Sequence, residues 1–269
     1  MNAKVRALSP RKQFERDGFF FSPPLLPAEL VDRAVRHINK VMACKYETGV
    51  PVAGRHWNPG EDPFKIRKID EPQRADRTIL EVIGHPEIGK WAAKLTGAKM
   101  VQAWACQLLY KPAGGKEAGS IGWHQDQQYW DYWDGEVFTA WIALSDVTAD
   151  AGPMRFVRGS NHWGLRISAT DGDFGNTFFN ADHEAVRQRM QPKGKKWEEV
   201  PAILPPGAVS FHHRYTIHGS SANRSGRPRI SLAVHLRTEK TRMTRDKPDL
   251  FQSSLENPAF NPVLYRAKK

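Results

Sequence analysis

Cysteine is almost absent from this chain. Its 269 residues include only Cys44 and Cys106, far apart and outside CxxC spacing, which excludes a disulfide framework and a thiolate zinc site and leaves reduced thiols as the expectation. Also missing is any apolar run near the roughly eighteen residues of a membrane span. The opening stretch, "MNAKVRALSPRKQFERDGFF", lacks the apolar centre of a signal peptide, so a cytoplasmic protein is expected. Acidic residues are in short supply. Twenty-nine Asp plus Glu face 40 Lys plus Arg, a formal net charge of +11 that favours anions. The basic residues are nevertheless scattered from Lys4 to Lys269 without a zinc-finger, RNP-like or heptad pattern. A small-molecule substrate is therefore expected, with neither nucleic acid nor membrane as partner. Oligomeric state has no signature, and there is no internal repeat.

What is present suits one large domain over residues 1–269. It divides into a helical N-terminal part (about 1–99), a β core (about 100–237) and a C-terminal extension (238–269). Ser9 and Pro10 resemble an N-cap and first helical residue, with Gly18 as the stop. Leu30, Val31, Ala34, Val35, Ile38, Val41 and Met42 recur at helical spacing. Two shorter helices are expected at 77–83 and 86–96, and residues 48–75, rich in Pro, Gly and charge, as a long loop. Near Met100 the period changes to two. "MVQAWACQLLY", "EVFTAWIALSDV", "GPMRFV", "GAVSFHH" and "RISLAVHLR" are strand-like and separated by turn residues. Strands without intervening regular helices predict an antiparallel sandwich or barrel. Residues 164–200 interrupt them and are expected to form a lid or short helix beside the core.

The stretch "GSIGWHQDQQYWDYWDGE" sets His124 and Asp126 one residue apart. On an extended strand such residues share a face and can aim an imidazole and a carboxylate at one point. Taken alone the pair is weak, because HxD is common by chance and a metal needs a third ligand. "VSFHHRYTIHGSSANRSGRPRISLAVHL" offers His212, His213, His218 and His235. A hairpin centred between Asn223 and Arg224 would set Arg229 opposite His218. On the strand that follows, Ile230, Leu232, Val234 and Leu236 occupy one face and Arg229, Ser231, Ala233 and His235 the other. An interior Arg needs an anionic partner. Two His and one carboxylate leave several positions of an octahedral ion open, which suits non-haem iron(II) and oxygen. A planar guanidinium suits capture of a carboxylate.

Taken together, "WHQDQQYW", "FTAWIALSDVTADAGPMRFVRGSNHWG", "PPGAVSFHHRYTIHGSSANRSGRPR" and "CQLLYKP" resemble the phytanoyl-CoA dioxygenase family over about residues 100–237. These are iron(II)- and 2-oxoglutarate-dependent oxygenases. The resemblance implies a mainly β fold with N-terminal helices around a double-stranded β-helix, a cupin-like jelly roll. It implies His124, Asp126 and His218 as iron ligands and Arg229 as the grip on the distal carboxylate of 2-oxoglutarate. Gln107, Trp141, Thr139 and Ser220 fall where the co-substrate pocket is lined, and dioxygen is the second co-substrate. Asp126 is intact, which disfavours halogenation. One departure is Ala151 before Gly152-Pro153, where Asn is frequent in the family.

Directly after two ligands, Tyr129 and Trp130 are expected to wall the substrate pocket. Gln125 and Gln127 point away from the ligand face of an ideal strand, and "GSNHWG" is a folding turn in which His162 is not a ligand. The implied activity is oxidation, in the first instance hydroxylation, of an unactivated C–H of a small specialised metabolite, with release of succinate and CO2. Desaturation, epoxidation and ring closure are open to the same chemistry. Three alternatives stand beside it: an acyl-CoA or other anionic substrate, a cupin-like zinc hydrolase, and a non-catalytic barrel that binds a small anion or nucleic acid.

Overall fold

The computed structural model describes residues 8–114, 119–168, 178, 182–244 and 255–268. Five helices lie among them: α1 (Pro10–Asp17), α2 (Ala28–Met42), α3 (Arg77–Ile83), α4 (Pro86–Thr96) and α5 (His183–Met190). Their ends follow local chemistry. Ser9 Oγ accepts the Lys12 amide, Pro10 opens α1, and Gly18 closes it at φ 82°. Asp76 caps α3 through the Ile79 amide.

The larger sheet contains β1 (Phe19–Pro24), β2 (Gly54–Arg55), β3 (Arg67–Asp70), β4 (Met100–Lys111), β7 (Val137–Ala143), β10 (Ala208–His213), β12 (Arg229–Thr238) and β14 (Val263–Arg266). Its order is β1-β10-β7-β12-β4-β3-β2, with β14 also on β4. Along one flank of β4, β14 pairs with residues 100–102 and β3 with residues 107–110. The smaller sheet has β5 (Ile121–His124), β8 (Met154–Val157), β9 (Glu199–Pro201) and β11 (His218–Ser220), in the order β5-β11-β8-β9. A ribbon of β6 (Trp133–Asp134) and β13 (Arg242–Met243) stands apart. All these pairings are antiparallel. The expected jelly-roll arrangement of two facing sheets is present, without closure into a continuous barrel among the described residues.

Alternation along β12 divides the two faces. Ile230, Leu232, Val234 and Leu236 join the main core with Leu30, Ile38, Ile79, Val82, Ile88 and Leu95 of the helices. Each such fully buried aliphatic side chain contributes about 1.5–3 kcal/mol of transfer free energy. Ala233 and His235 turn the other way, into a chamber between the sheets. Helices α1–α4 therefore back the larger sheet, whereas α5 packs Val186 and Met190 against Trp123 of the smaller one.

Three expectations are corrected. Residues 48–75 are not a plain loop: they contain β2, β3 and the 3-10 turn Pro72–Arg74. The strands are too short to show alternation, and pairing of β3 with β4 and of β2 with β3 is what makes them extended. With β1 as well, the N-terminal part is less purely helical than its spacing suggests. The 223/224 hairpin also does not form. β11 pairs with β5 and β8, whereas β12 pairs with β4 and β7, so Arg229 lies opposite Lys111 and His218 opposite His124. The turn residues carry the chain from one sheet to the other. Within the 164–200 segment, residues 169–177 and 179–181 lie outside the described residues, and the remainder includes α5 and β9.

Candidate metal centre

β5 ends at His124, and antiparallel pairing sets His218 of β11 beside it, the two rings 4.2 Å apart between centroids. Gln125 continues the extended backbone, but Asp126 opens the 3-10 turn Asp126–Tyr129 rather than extending the strand. The turn brings Asp126 Oδ1 to 3.9 Å from His124 Nε2 and 3.6 Å from His218 Nε2. These three buried side chains form a group able to hold a metal ion. Backbone carbonyls orient both rings. His124 Nδ1 donates to Gly122 O at 2.8 Å and His218 Nδ1 to Thr216 O at 2.9 Å, leaving the Nε2 lone pairs free to ligate.

The electrostatics agree with that use. Burial pushes the His124 and His218 pKa values down, His218 further because His124 lies beside it, the direction that favours the neutral imidazole needed for ligation. Burial alone would raise Asp126, yet His218 and His212 outweigh it and hold the carboxyl well below its usual range. Among the described residues one other group has metal-like spacing: His37, Glu47 and Asp76. Its carboxylates already serve the α3 cap, His37 and Arg77.

Four of the remaining predicted residues converge on the chamber beside this centre. Gln107, Trp141, Thr139 and Ser220 all line it. Thr139 does more than line it, because its hydroxyl donates to Asp126 Oδ2 at 2.7 Å. Arg229 is fully buried on the same face of β12 as Ala233 and His235. Its Nη1 donates to Gly152 O at 3.0 Å, and its charge lies 5.1 Å from the Trp141 ring centre. Nε and Nη2 have no partner among the described residues, and burial pushes its pKa down to about 9. Opposite it on β4 stands fully buried Lys111, whose Nζ donates to Ser220 Oγ at 2.7 Å and to Ser221 O. Burial and the charge of Arg229 hold Lys111 well below its usual pKa. Arg229, with two unpartnered guanidinium nitrogens, adjoins Trp141 of the chamber, and Lys111 binds its Ser220, an arrangement that fits an anion able to reach the metal as well. Sequence reasoning missed Lys111, although its parity with Gln107 and Leu109 on β4 places it inward.

A wider cavity of about 380 Å³ also opens on the centre, sharing Gln107, His124, Asp126, Phe178 and His235 with the chamber. Tyr129, Trp130 and Phe178 form its apolar wall. Tyr129 is partly exposed, whereas Trp130 is mostly packed against Trp104 and His235 and offers only an edge. A polar group unforeseen from sequence completes the rim. Asp70 accepts from Lys68 Nζ at 2.7 Å and bonds His56 Nε2 at 3.0 Å. As expected, Gln125 and His162 are structural. Gln125 donates to Tyr215 O, and His162 Nε2 donates to Glu15 O.

The model of the phytanoyl-CoA dioxygenase family matches residues 14–231, most of the chain. The chain belongs to the phytanoyl-CoA dioxygenase family. Membership carries the reaction class, an oxidoreductase of the iron(II)- and 2-oxoglutarate-dependent dioxygenase type. Among curated family relatives, the peroxisomal phytanoyl-CoA dioxygenase of Homo sapiens is 22% identical over 249 residues, covering 87% of this chain and 69% of the relative. Ectoine dioxygenase of Halomonas elongata is 26% identical over 245 residues, covering 80% and 65%. The chain thus spans about two thirds of each. The solved epimerase SnoN, in complex with Fe3+, alpha-ketoglutarate and nogalamycin RO, shares the fold at TM-score 0.67 and 23% identity, covering 97% of this chain and 94% of that one. Among the described residues no helix is long and apolar enough to cross a membrane.

Proposed function

We propose that the protein hydroxylates an unactivated C–H bond of a small specialised metabolite, with His124, Asp126 and His218 as the iron(II) ligands. Bound iron with 2-oxoglutarate and dioxygen supplies the C–H oxidising power, releasing succinate and CO2. The chain's own residues bind and orient. Arg229, with Lys111 beside it, receives the distal carboxylate of 2-oxoglutarate, and Ser220, Gln107 and Trp141 shape its chamber. Thr139 steadies Asp126. Tyr129, Trp130 and Phe178 hold the apolar part of the substrate over the centre and keep water from it. The observation that carries this reading is the unpartnered, fully buried edge of Arg229 beside a buried His-Asp-His group. A zinc hydrolase would leave that guanidinium without an anion.

The cavity's polar rim bears on substrate class. Lys68 is balanced by Asp70, so the chain's overall positive charge is not focused there, which favours an uncharged or zwitterionic substrate over an acyl-CoA. A cytoplasmic setting fits the two unpaired cysteines. The test is a screen of compounds for stimulated succinate formation by the iron-loaded protein under air. Stimulation by neutral ring or amino-acid-like compounds is expected. Stimulation confined to acyl-CoA thioesters overturns the substrate class, and a 2-oxoglutarate-independent hydrolysis with zinc overturns the reaction.

A further inference from the structure

Thr139, His212 and His235 lie on three adjacent strands of the larger sheet and directly face one another in register: His212 of β10 opposite Thr139 of β7, and Thr139 opposite His235 of β12. All three line the chamber. His212 Nε2 lies 3.0 Å from Asp126 Oδ2, the oxygen to which Thr139 donates at 2.7 Å, and His235 Nδ1 lies 3.0 Å from Thr139 Oγ1.

A carboxylate can only accept, which fixes the direction of each bond. His212 donates from Nε2, Thr139 donates from its hydroxyl, and the Thr139 oxygen, its proton committed, accepts from His235 Nδ1–H. The donors converge on Oδ2 and occupy its two lone-pair directions. Oδ1 is left to face His124 and His218. For Asp126 to chelate a metal through both oxygens, it would have to break two buried hydrogen bonds to a charged group.

We propose that His212 and His235, acting with Thr139, are positioning residues that restrict Asp126 to one-oxygen ligation and so keep three coordination positions open. This rests on the metal centre proposed above. The identity of His212 supports it independently. Its ring is buried against Phe156, with centroids 5.1 Å apart, and Nδ1 has no partner among the described residues. An apolar ring of the same shape would avoid that unpaired nitrogen. What the imidazole adds over such a ring is the Nε2 donor.

The experiment is a Co(II) titration of the metal-stripped protein, followed by calorimetry and by the visible Co(II) spectrum, in wild type, His212→Phe, His212→Gln, Thr139→Val and His235→Phe, each with a thermal melt. Loss of an outer partner of a metal ligand weakens affinity by about 10- to 100-fold. That loss is expected for His212→Phe and Thr139→Val, with an altered Co(II) spectrum reporting a changed coordination mode. His235→Phe acts through Thr139 and loses less. His212→Gln, which can place an amide donor near the Nε2 position, restores most of the affinity and the wild-type spectrum. Wild-type affinity and spectrum in both His212→Phe and Thr139→Val overturn the proposal. If His212→Phe does not fold, Thr139→Val and His212→Gln decide it. If wild type itself takes up no Co(II), or Asp126→Ala takes it up equally well, the metal centre falls first and the proposal with it.

Discussion

Replacing Arg229 with Met separates the cost of burying a guanidinium from the gain of holding an anion. Without ligand, Nε and Nη2 are buried and have no partner among the described residues, so the charge opposes folding and its removal should leave stability unchanged or raised. With 2-oxoglutarate bound the balance reverses. Truncating one partner of a buried, hydrogen-bonded charge pair costs about 2–5 kcal/mol. Because Lys111 remains beside the carboxylate, the lower part of that range applies, an affinity loss of about 30- to 300-fold. At a co-substrate concentration 100 times the wild-type Kd, binding stabilises wild type by about 2.7 kcal/mol, whereas a variant with 100-fold weaker binding gains only about 0.4 kcal/mol. For a chain of this length that is a rise in melting temperature of about 5–10 °C against about 1 °C. The assay is thermal denaturation of the Mn(II)-loaded protein without oxygen, with and without 2-oxoglutarate. A variant that keeps the full ligand-induced rise, or that melts far below wild type before ligand is added, refutes the reasoning.

Asp126→Ala should abolish stoichiometric Mn(II) binding and succinate formation, whereas His162→Ala, in a folding turn, should retain both; calorimetry and succinate assay separate them. Gly152→Ala should destabilise by about 2 kcal/mol or more and weaken 2-oxoglutarate binding. Its φ is 65°, an added Cβ would meet Ser221 O at 2.5 Å, and its carbonyl accepts from Arg229. Gly226→Ala, with nothing within 4 Å, is the control, and urea melts compare the two. Glu71 is buried and has its pKa pushed up to about 7 from 4.5, chiefly by burial. The folded state therefore keeps a proton that the unfolded chain has lost between about pH 4.5 and 7, and stability falls across that window by about 3 kcal/mol at most before levelling off. Glu71→Gln should be nearly free of that contribution, so its stability advantage over wild type should grow from pH 5 to pH 8. Parallel loss in both proteins would assign the pH dependence elsewhere.

The fold class was legible because it rests on periodicity. The core strands alternate, α2 repeats at helical spacing, and Ser9 and Gly18 bound α1 with caps that short-range chemistry sets. Spacing picked out His124 and Asp126 as a pair but left four histidines open, and His218 was singled out by the family resemblance. Their geometry was only half foreseen, since Asp126 reaches the centre from a turn rather than from the strand. What stayed hidden depends on partners far away in sequence. β3 is extended because β4 lies beside it, and Arg229 faces Lys111 because the chain changes sheets after Ser220. His212 and His213 read as neighbouring strand residues, one inward and one outward and either open to bonding a ligand, and nothing local marked which of them meets Asp126. Lys68, Asp70 and His56 meet only once β2 and β3 have formed.

The shared flank of β4 has a consequence for how the molecule treats its neighbours. A twelve-residue strand left bare along that side would offer amide and carbonyl groups as a template for a foreign chain. Instead two four-residue segments, one before β4 in the sequence and one well after it, sit in tandem along it. β3 already carries the two-residue β2 on its outer edge and β14 is only four residues long, so self-association by sheet extension is discouraged on that side. The strand that carries Gln107 and Lys111 is thereby fastened by segments that precede and follow it in the sequence.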